Sequence, residues 1–168
     1  MAVGAVVLQT GCGGDGYTPE LRAIDSMISA KPDSALRLLD SLGAEAAGWS
    51  ESQRMRHSLL TMKAQNKAGM IFSSDSLAKE LVKYFDGQGF TNEQMQAHYL
   101  LGRAYSDMGE APQAINSFLD AIETADTTAV DFDFYTLSCV YSQMADLYHQ
   151  LLLLTNEIET RRKTSRKP

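Results

Sequence analysis

The sequence predicts an all-α fold of antiparallel helical hairpins packed in a row, and three observations carry that expectation. Apolar and small residues recur at i, i+3, i+4 and i+7, the spacing of one helical face: His98, Leu101, Gly102 and Tyr105 show it most cleanly. The next helical stretch follows a turn in which Gly109 suits a left-handed helix end and Pro112 suits a first helical turn. The same offsets return along the chain, at His57, Leu60, Thr61 and Ala64, forty-one residues earlier, and at Tyr141, Met144, Ala145 and Tyr148, forty-three residues later.

The elements follow in order. Thr18-Pro19-Glu20 opens a first helix with a cap, a proline in its first position and an acid beside the helix dipole, and Leu21, Ile24, Met27 and Ile28 form its apolar stripe. Pro32-Asp33 starts a second helix, with Ala35, Leu39 and Leu42 inward and Gly43 as its end. This hairpin is expected to cap the amino-terminal end of the row. Ser50 to Gln53 reads as a capping box, with Trp49 leaning back on the helix that carries His57. A loop with Gly69 and Ser73-Ser74-Asp75 leads to a helix with Ala78, Val82 and Phe85 inward, closed by Gly87 and Gly89. Thr91 to Gln94 reads as a second capping box, with Phe90 stapled to Met95.

Residues 95 to 124 are the best-formed hairpin. Gly102 and Ala114 remove bulk from its two facing stripes, so the axes can approach to roughly 8–10 Å while Tyr105 and Phe118 fill the space beside them. A last helix begins near residues 131–133, and the helix that should pair with it is missing. In its place stands LLLLTNEIETRRKTSRKP, read as an apolar run, a short charged helix at best and a basic disordered tail over 161–168. The array is expected to be interrupted there, by a natural stop or by a truncated or frame-shifted gene.

At 168 residues, with 44% hydrophobic and 21% charged content, the chain suits about one folded domain, expected over 18–160. The net charge is −6, but the last eight residues carry five bases and no acid, so the preceding body stands at −11. A nucleic-acid partner is not expected, because counterion release needs Lys and Arg gathered on one face. No apolar run approaches the roughly 18 residues of a membrane span.

The hairpin over 95–124 resembles a tetratricopeptide repeat. His98, Leu101, Gly102 and Tyr105 stand where that family has Trp-x-x-Leu-Gly-x-x-Tyr, and Ala114, Phe118 and Ala121 where it has Ala-x-x-x-Phe-x-x-Ala. A His replaces the family's Trp, and the closing Pro of its second helix is absent. The resemblance implies a short right-handed α-solenoid of stacked hairpins, the last one incomplete, whose first helices line a concave binding surface. The repeat spacing here exceeds the family's standard of about 34, so the linkers must loop out.

A second resemblance lies at the start of the chain. Met1 to Leu8 is a short apolar run, followed by small residues and by Gly11-Cys12-Gly13-Gly14. This is similar to the end of a bacterial lipoprotein signal peptide, although no Lys or Arg precedes the apolar run. It implies lipidation at Cys12, a glycine-rich tether through residue 17, and a body held at the cell envelope, on the periplasmic or outer-membrane face, with lipid as its only membrane contact. The whole is similar to the tetratricopeptide lipoproteins of Bacteroides-type bacteria. Cys139, inside a helical pattern, reads as a small buried residue without a disulfide partner.

Chemistry-bearing motifs are missing. His57 and His98 hold packing positions, no His has another at i+4, and no phosphate-binding glycine loop or nucleophile elbow occurs. The expectation is therefore a non-enzymatic module with no cofactor and no metal, binding a protein or peptide. Its groove should be lined by Gln96, Tyr99, Arg103, Ser106 and Asp107 of the central repeat, and by Gln143, Asp146 and His149 of the last helix. Leu100, Met62, Gln65 and Asn66 are expected on the same surface. Tyr99 could stack, Arg103 could fork to a carboxylate, and the amides could bond a peptide backbone. Two other functions fit such a chain: the sensory portion of a membrane-linked transcriptional regulator, or a glycan-binding lipoprotein with Tyr99 as its platform.

Overall fold

The structure, a computed structural model, describes residues 16–88 and 90–165. Among these residues it is all-α: α1 (Pro19–Ile28), α2 (Pro32–Gly43), α3 (Glu51–Lys67), α4 (Ser76–Gln88), α5 (Thr91–Asp107), α6 (Ala111–Glu123) and α7 (Phe134–Thr164), with one 3₁₀ turn over Ala46–Gly48 and no strand. The expectations for Cys12, for the apolar leader, for Gly89 and for residues 166–168 fall outside the described part of the chain.

Local sequence explains the helix ends. The Thr18 hydroxyl accepts from the Leu21 N–H at 3.3 Å, with Pro19 in the first turn. Ser50 and Gln53 exchange bonds at 2.9 and 3.2 Å, which completes the capping box of α3. α5 begins one residue before the expected cap: Phe90 is its N-cap, and the Glu93 carboxylate, not the Gln94 amide, accepts the Phe90 N–H at 3.2 Å. Phe90 is exposed and does not close over Met95, while Gln94 donates to the Phe85 carbonyl at 3.0 Å. α5 ends in a Schellman turn, with Gly109 at φ +78° and the Glu110 N–H on the Tyr105 carbonyl at 2.8 Å. α3 ends the same way at Gly69. Gly43 is the last residue of α2 but has no left-handed φ; its bare Cα makes room for the His57 ring, which a Cβ there would meet at 3.2 Å.

Three apolar cores follow one another and are linked through α3 and α5. Leu21, Ile28, Ala35 and Leu39 of the first hairpin pack on Leu60 and Ala64 of α3. Leu59 and Met62, on another side of α3, join Ala78, Leu81 and Phe85 of α4 and Ala97, Leu100 and Ala104 of α5. Met95 of α5 joins Ala114, Phe118 and Ala121 of α6 and Val140 and Leu147 of α7. The helices α1, α3, α5 and α7 touch in succession, each also packed on its hairpin partner or the preceding even-numbered helix. In the central hairpin the two axes approach closely: a Cβ on Gly102 would lie 2.4 Å from the Phe118 ring.

Two expectations are corrected here. Leu100 and Met62 are buried, because helices with neighbours on several sides bury a wider arc than one stripe. The chain after Leu154 is not a short charged helix and a tail from residue 161: α7 runs unbroken for 31 residues to Thr164, with no Gly or Pro inside it to stop it. Its last basic turn, Arg161 to Lys163, favours the helix C-terminus. Residues 151–165 are all exposed.

One strong tie was not foreseen. Arg56 of α3 forks onto Glu93 of α5, Nε to Oε1 at 2.7 Å and an Nη to Oε2 at 3.0 Å, with both side chains buried. The Ser52 hydroxyl and the rings of Tyr17 and Phe85 surround the guanidinium.

Candidate functional site

Asn92, Gln96, Tyr99, Arg103 and Asp107 follow one face of α5, between α3 on one side and α7 on the other. This is the face expected to line the groove. Its middle is closed by hydrogen bonds that run from helix to helix. The Arg103 guanidinium donates through Nε to the Asn66 side-chain oxygen at 3.1 Å, through one Nη to Gln143 of α7, and through the other to Asp107 at 2.9 Å. The Asn66 amide in turn donates to the Tyr99 hydroxyl at 3.3 Å. The other oxygen of Asp107 accepts the Phe72 N–H at 3.0 Å, which pins the loop before α4. Arg103 is thus a three-way bridge and not an open fork, and its expected carboxylate comes from its own helix.

Tyr99 is half-buried, with its ring 6.0 Å from that of Phe118, and burial raises its phenol above the ordinary tyrosine range. It is a wall residue, so the exposed aromatic platform expected for a sugar is absent at this position. Cys139 is half-buried and free on α7, near Tyr99 and Lys67 in a small pocket of about 50 Å³.

The bridge divides the face into two open clefts. Toward the C-terminus of α5 lies one of about 460 Å³, lined by Arg103, Ser106, Asp107, Gln143, Asp146 and His149. Six of the eight residues expected to bind are therefore brought together. Asp146 and His149 are exposed on α7, while Arg103, Ser106, Asp107 and Gln143 are half-buried.

Toward the N-terminus of α5 lies a larger cleft, about 600 Å³, and here the sequence reading had placed only Gln96. Asp25 of α1 holds Lys63 of α3 at 2.8 Å and accepts the Tyr17 hydroxyl at 2.7 Å. Burial and the nearby Asp25 carboxylate push the Tyr17 phenol well up, so it stays a donor. On the opposite wall Gln96 donates to Asp133 at 2.9 Å, and the Asn92 side chain bonds the backbone of residues 131 and 133. Asp133 also caps α7, accepting the Thr136 N–H at 2.9 Å and its hydroxyl at 2.6 Å. Burial works against its charge, but these donors and Gln96 outweigh it and hold the carboxyl below the usual aspartate range. The signal that could have revealed this cleft is Asp133 three residues before Thr136, a helix-capping pair set opposite polar residues of α5.

Hydrogen bonds hold His57 and one ring nitrogen of His98, while the buried Nδ1 of His98 has no hydrogen-bond partner among the described residues. His57 Nε2 lies 2.8 Å from the Leu39 carbonyl, and its ring meets Trp49 edge-on at 5.1 Å. His98 is buried, with Nε2 3.0 Å from Asp86 of α4 and Nδ1 3.9 Å from Asp120 of α6. Among the described residues no group of three or more His, Cys, Asp or Glu could hold a metal ion, and no helix is long and apolar enough to cross a membrane. No family model matches the chain, and no curated protein or solved structure is significantly similar to it.

Proposed function

We propose that this chain is a non-enzymatic binding module of the tetratricopeptide kind, a short right-handed solenoid that presents the α5 face to a protein or peptide. The observation that supports this most is the pair of open clefts, about 600 and 460 Å³, on one continuous helical face whose polar groups are held in fixed positions by cross-helix bonds. Amides and carboxylates fixed in this way match a peptide backbone and its polar side chains, and pre-ordering them lowers the entropy cost of binding. The larger cleft, with Asp25, Asp131 and Asp133 against Lys63 and Arg22, suits a segment carrying both charges.

Panning a random peptide display against the 168-residue chain tests this reading. Enriched peptides should bind at least about tenfold more weakly to Gln96→Ala/Asp131→Asn or to Asp146→Ala/His149→Ala, with melting unchanged. No enrichment, or equal binding by all three proteins, removes the assignment.

The lipoprotein resemblance at Cys12 supports a second part of the proposal: the module is held at the bacterial envelope by a lipid anchor. Mass spectrometry of the membrane fraction, with Cys12→Ser beside it, decides this. A soluble chain that retains Met1 and carries no lipid rejects it.

A further inference from the structure

The last turns of α4 and α6 carry the wrong charge for their place. A helix C-terminus is electrically negative and favours a base, yet neither helix has a basic residue there. Instead Asp86 stands two residues before the end of α4, and Asp120 three before the end of α6. Both carboxylates approach one side chain of α5, the helix that packs on both. His98 places Nε2 3.0 Å from an oxygen of Asp86 and Nδ1 3.9 Å from an oxygen of Asp120. The histidine is 7% exposed, whereas the Asp86 and Asp120 side chains are 47% and 56% exposed and free to turn.

Neither neutral form of the ring suits both neighbours. With the hydrogen on Nε2 the bond to Asp86 forms, and the Nδ1 lone pair is buried without a donor, facing a second carboxylate. With the hydrogen on Nδ1, the Nε2 lone pair meets the Asp86 oxygen at 3.0 Å, acceptor against acceptor. A protonated ring has a hydrogen on each nitrogen. It can donate to both carboxylates once the exposed Asp120 side chain moves about 1 Å closer, into hydrogen-bond range. The other charges of the helices packed on α5 leave this arrangement uncontested. On α4, Lys79 is held by Asp75, and Glu80 and Lys83 precede Asp86; α6 adds Glu123 and no base. Arg56 of α3 is engaged by Glu93 of α5, Lys63 by Asp25 and Lys67 by Tyr135. Arg103 of α5 holds Asn66, Gln143 and Asp107, and Asp133 before α7 accepts from Gln96 and Thr136.

We infer that His98 is a proton-operated clasp: on taking up a proton the ring bonds Asp86 and Asp120 together and locks α4, α5 and α6 at the seam of the central hairpin. The cation also supplies the positive charge that the two helix ends lack. It acts one turn from the contact of Gly102 with Phe118, where the hairpin axes approach closely. Burial works against a charged ring, so the proton is held only while both carboxylates are in place. The unfolded chain offers no such pair. Folding therefore takes up a proton at His98. The stability this adds is present on the acid side of the range in which histidines titrate, about pH 5 to 8, and is lost as pH rises through it.

Proton–nitrogen NMR of the histidine rings and urea denaturation of the 168-residue chain, each at about pH 5.5 and about pH 8, test the clasp. At the lower pH both ring nitrogens of His98 should carry a hydrogen, and the folding constant should be about threefold to tenfold larger than at the higher pH. Asp120→Ala removes an exposed carboxylate and leaves the packing of the ring in place. In that variant the ring should carry one hydrogen at the lower pH, and the gain in folding constant should shrink to less than about twofold. Asp120→Glu should recover part of the gain. His98→Gln should show the same small remainder as Asp120→Ala, which measures what His57 and His149 contribute. A His98 ring with a single hydrogen at the lower pH in the unaltered chain overturns the inference. So does a pH gain that is undiminished in Asp120→Ala or in His98→Gln, since a histidine that only packs would leave the first unchanged and the second would place the proton elsewhere.

Discussion

α5 and α7 carry the same spacing of seam residues and meet different fates. His98 and Gly102 are buried while the matching Tyr141 and Ala145 are open to solvent; Leu101 is buried where Met144 is half-buried, and Tyr105 is half-buried where Tyr148 is exposed. α5 packs on α3, α4, α6 and α7, whereas α7 packs chiefly on α5 and α6, with Tyr135 also reaching Lys67 of α3. A repeat pattern states which face of a helix demands cover; whether cover arrives depends on sequence elsewhere.

The largest test of that contrast is Arg56→Ala. It leaves Glu93 buried and charged at the start of α5, so stability should fall by about 3–5 kcal/mol in urea denaturation. A loss under about 1 kcal/mol would mean that α5 is held by its apolar neighbours alone. Next, Gly102→Leu should cost about 1–3 kcal/mol or more, since even a Cβ collides with Phe118, whereas Ala145→Leu at the matching place on α7 should change stability by less than about 0.5 kcal/mol. Equal effects would erase the distinction between the two helices. Smaller is the effect of acid on Asp133. Its carboxyl is depressed in the folded protein, so the stabilisation it gives is present above the unfolded value near about 4 and is lost as pH falls through the lower folded value. Asp133→Ala should remove this dependence and about 1 kcal/mol of capping, read as earlier amide exchange in the first turn of α7; an unchanged acid transition would show that Asp133 does not hold that helix.

What the sequence made legible was local. Thr18, Ser50 with Gln53, and Gly109 act within a turn of their own helix, and each works as its residue type dictates. The hairpins followed from periodicity, since seam residues such as Ala78, Phe85, Ala114 and Phe118 had to be buried somewhere. Long-range polar partners were not legible. Arg56 and Glu93 stand 37 positions apart and resemble ordinary solvent-facing polar residues in the sequence, as do Asn66, Arg103 and Gln143 of the bridge. The larger cleft was missed for the same reason, because Asp25, Lys63 and Asp133 become neighbours only when α1, α3 and the start of α7 are stacked.

Glu93 has one further consequence. Its carboxylate holds the N-cap N–H of α5 and, with the same two oxygens, the guanidinium of Arg56 on α3. Fraying of that helix end and separation of α3 from α5 are therefore one event. Where most helix ends open on their own at little cost, this one should open only with the sub-global unfolding of the middle of the chain. The bonded amides of Phe90, Glu93 and Gln94 should then exchange as slowly as those of the core they border.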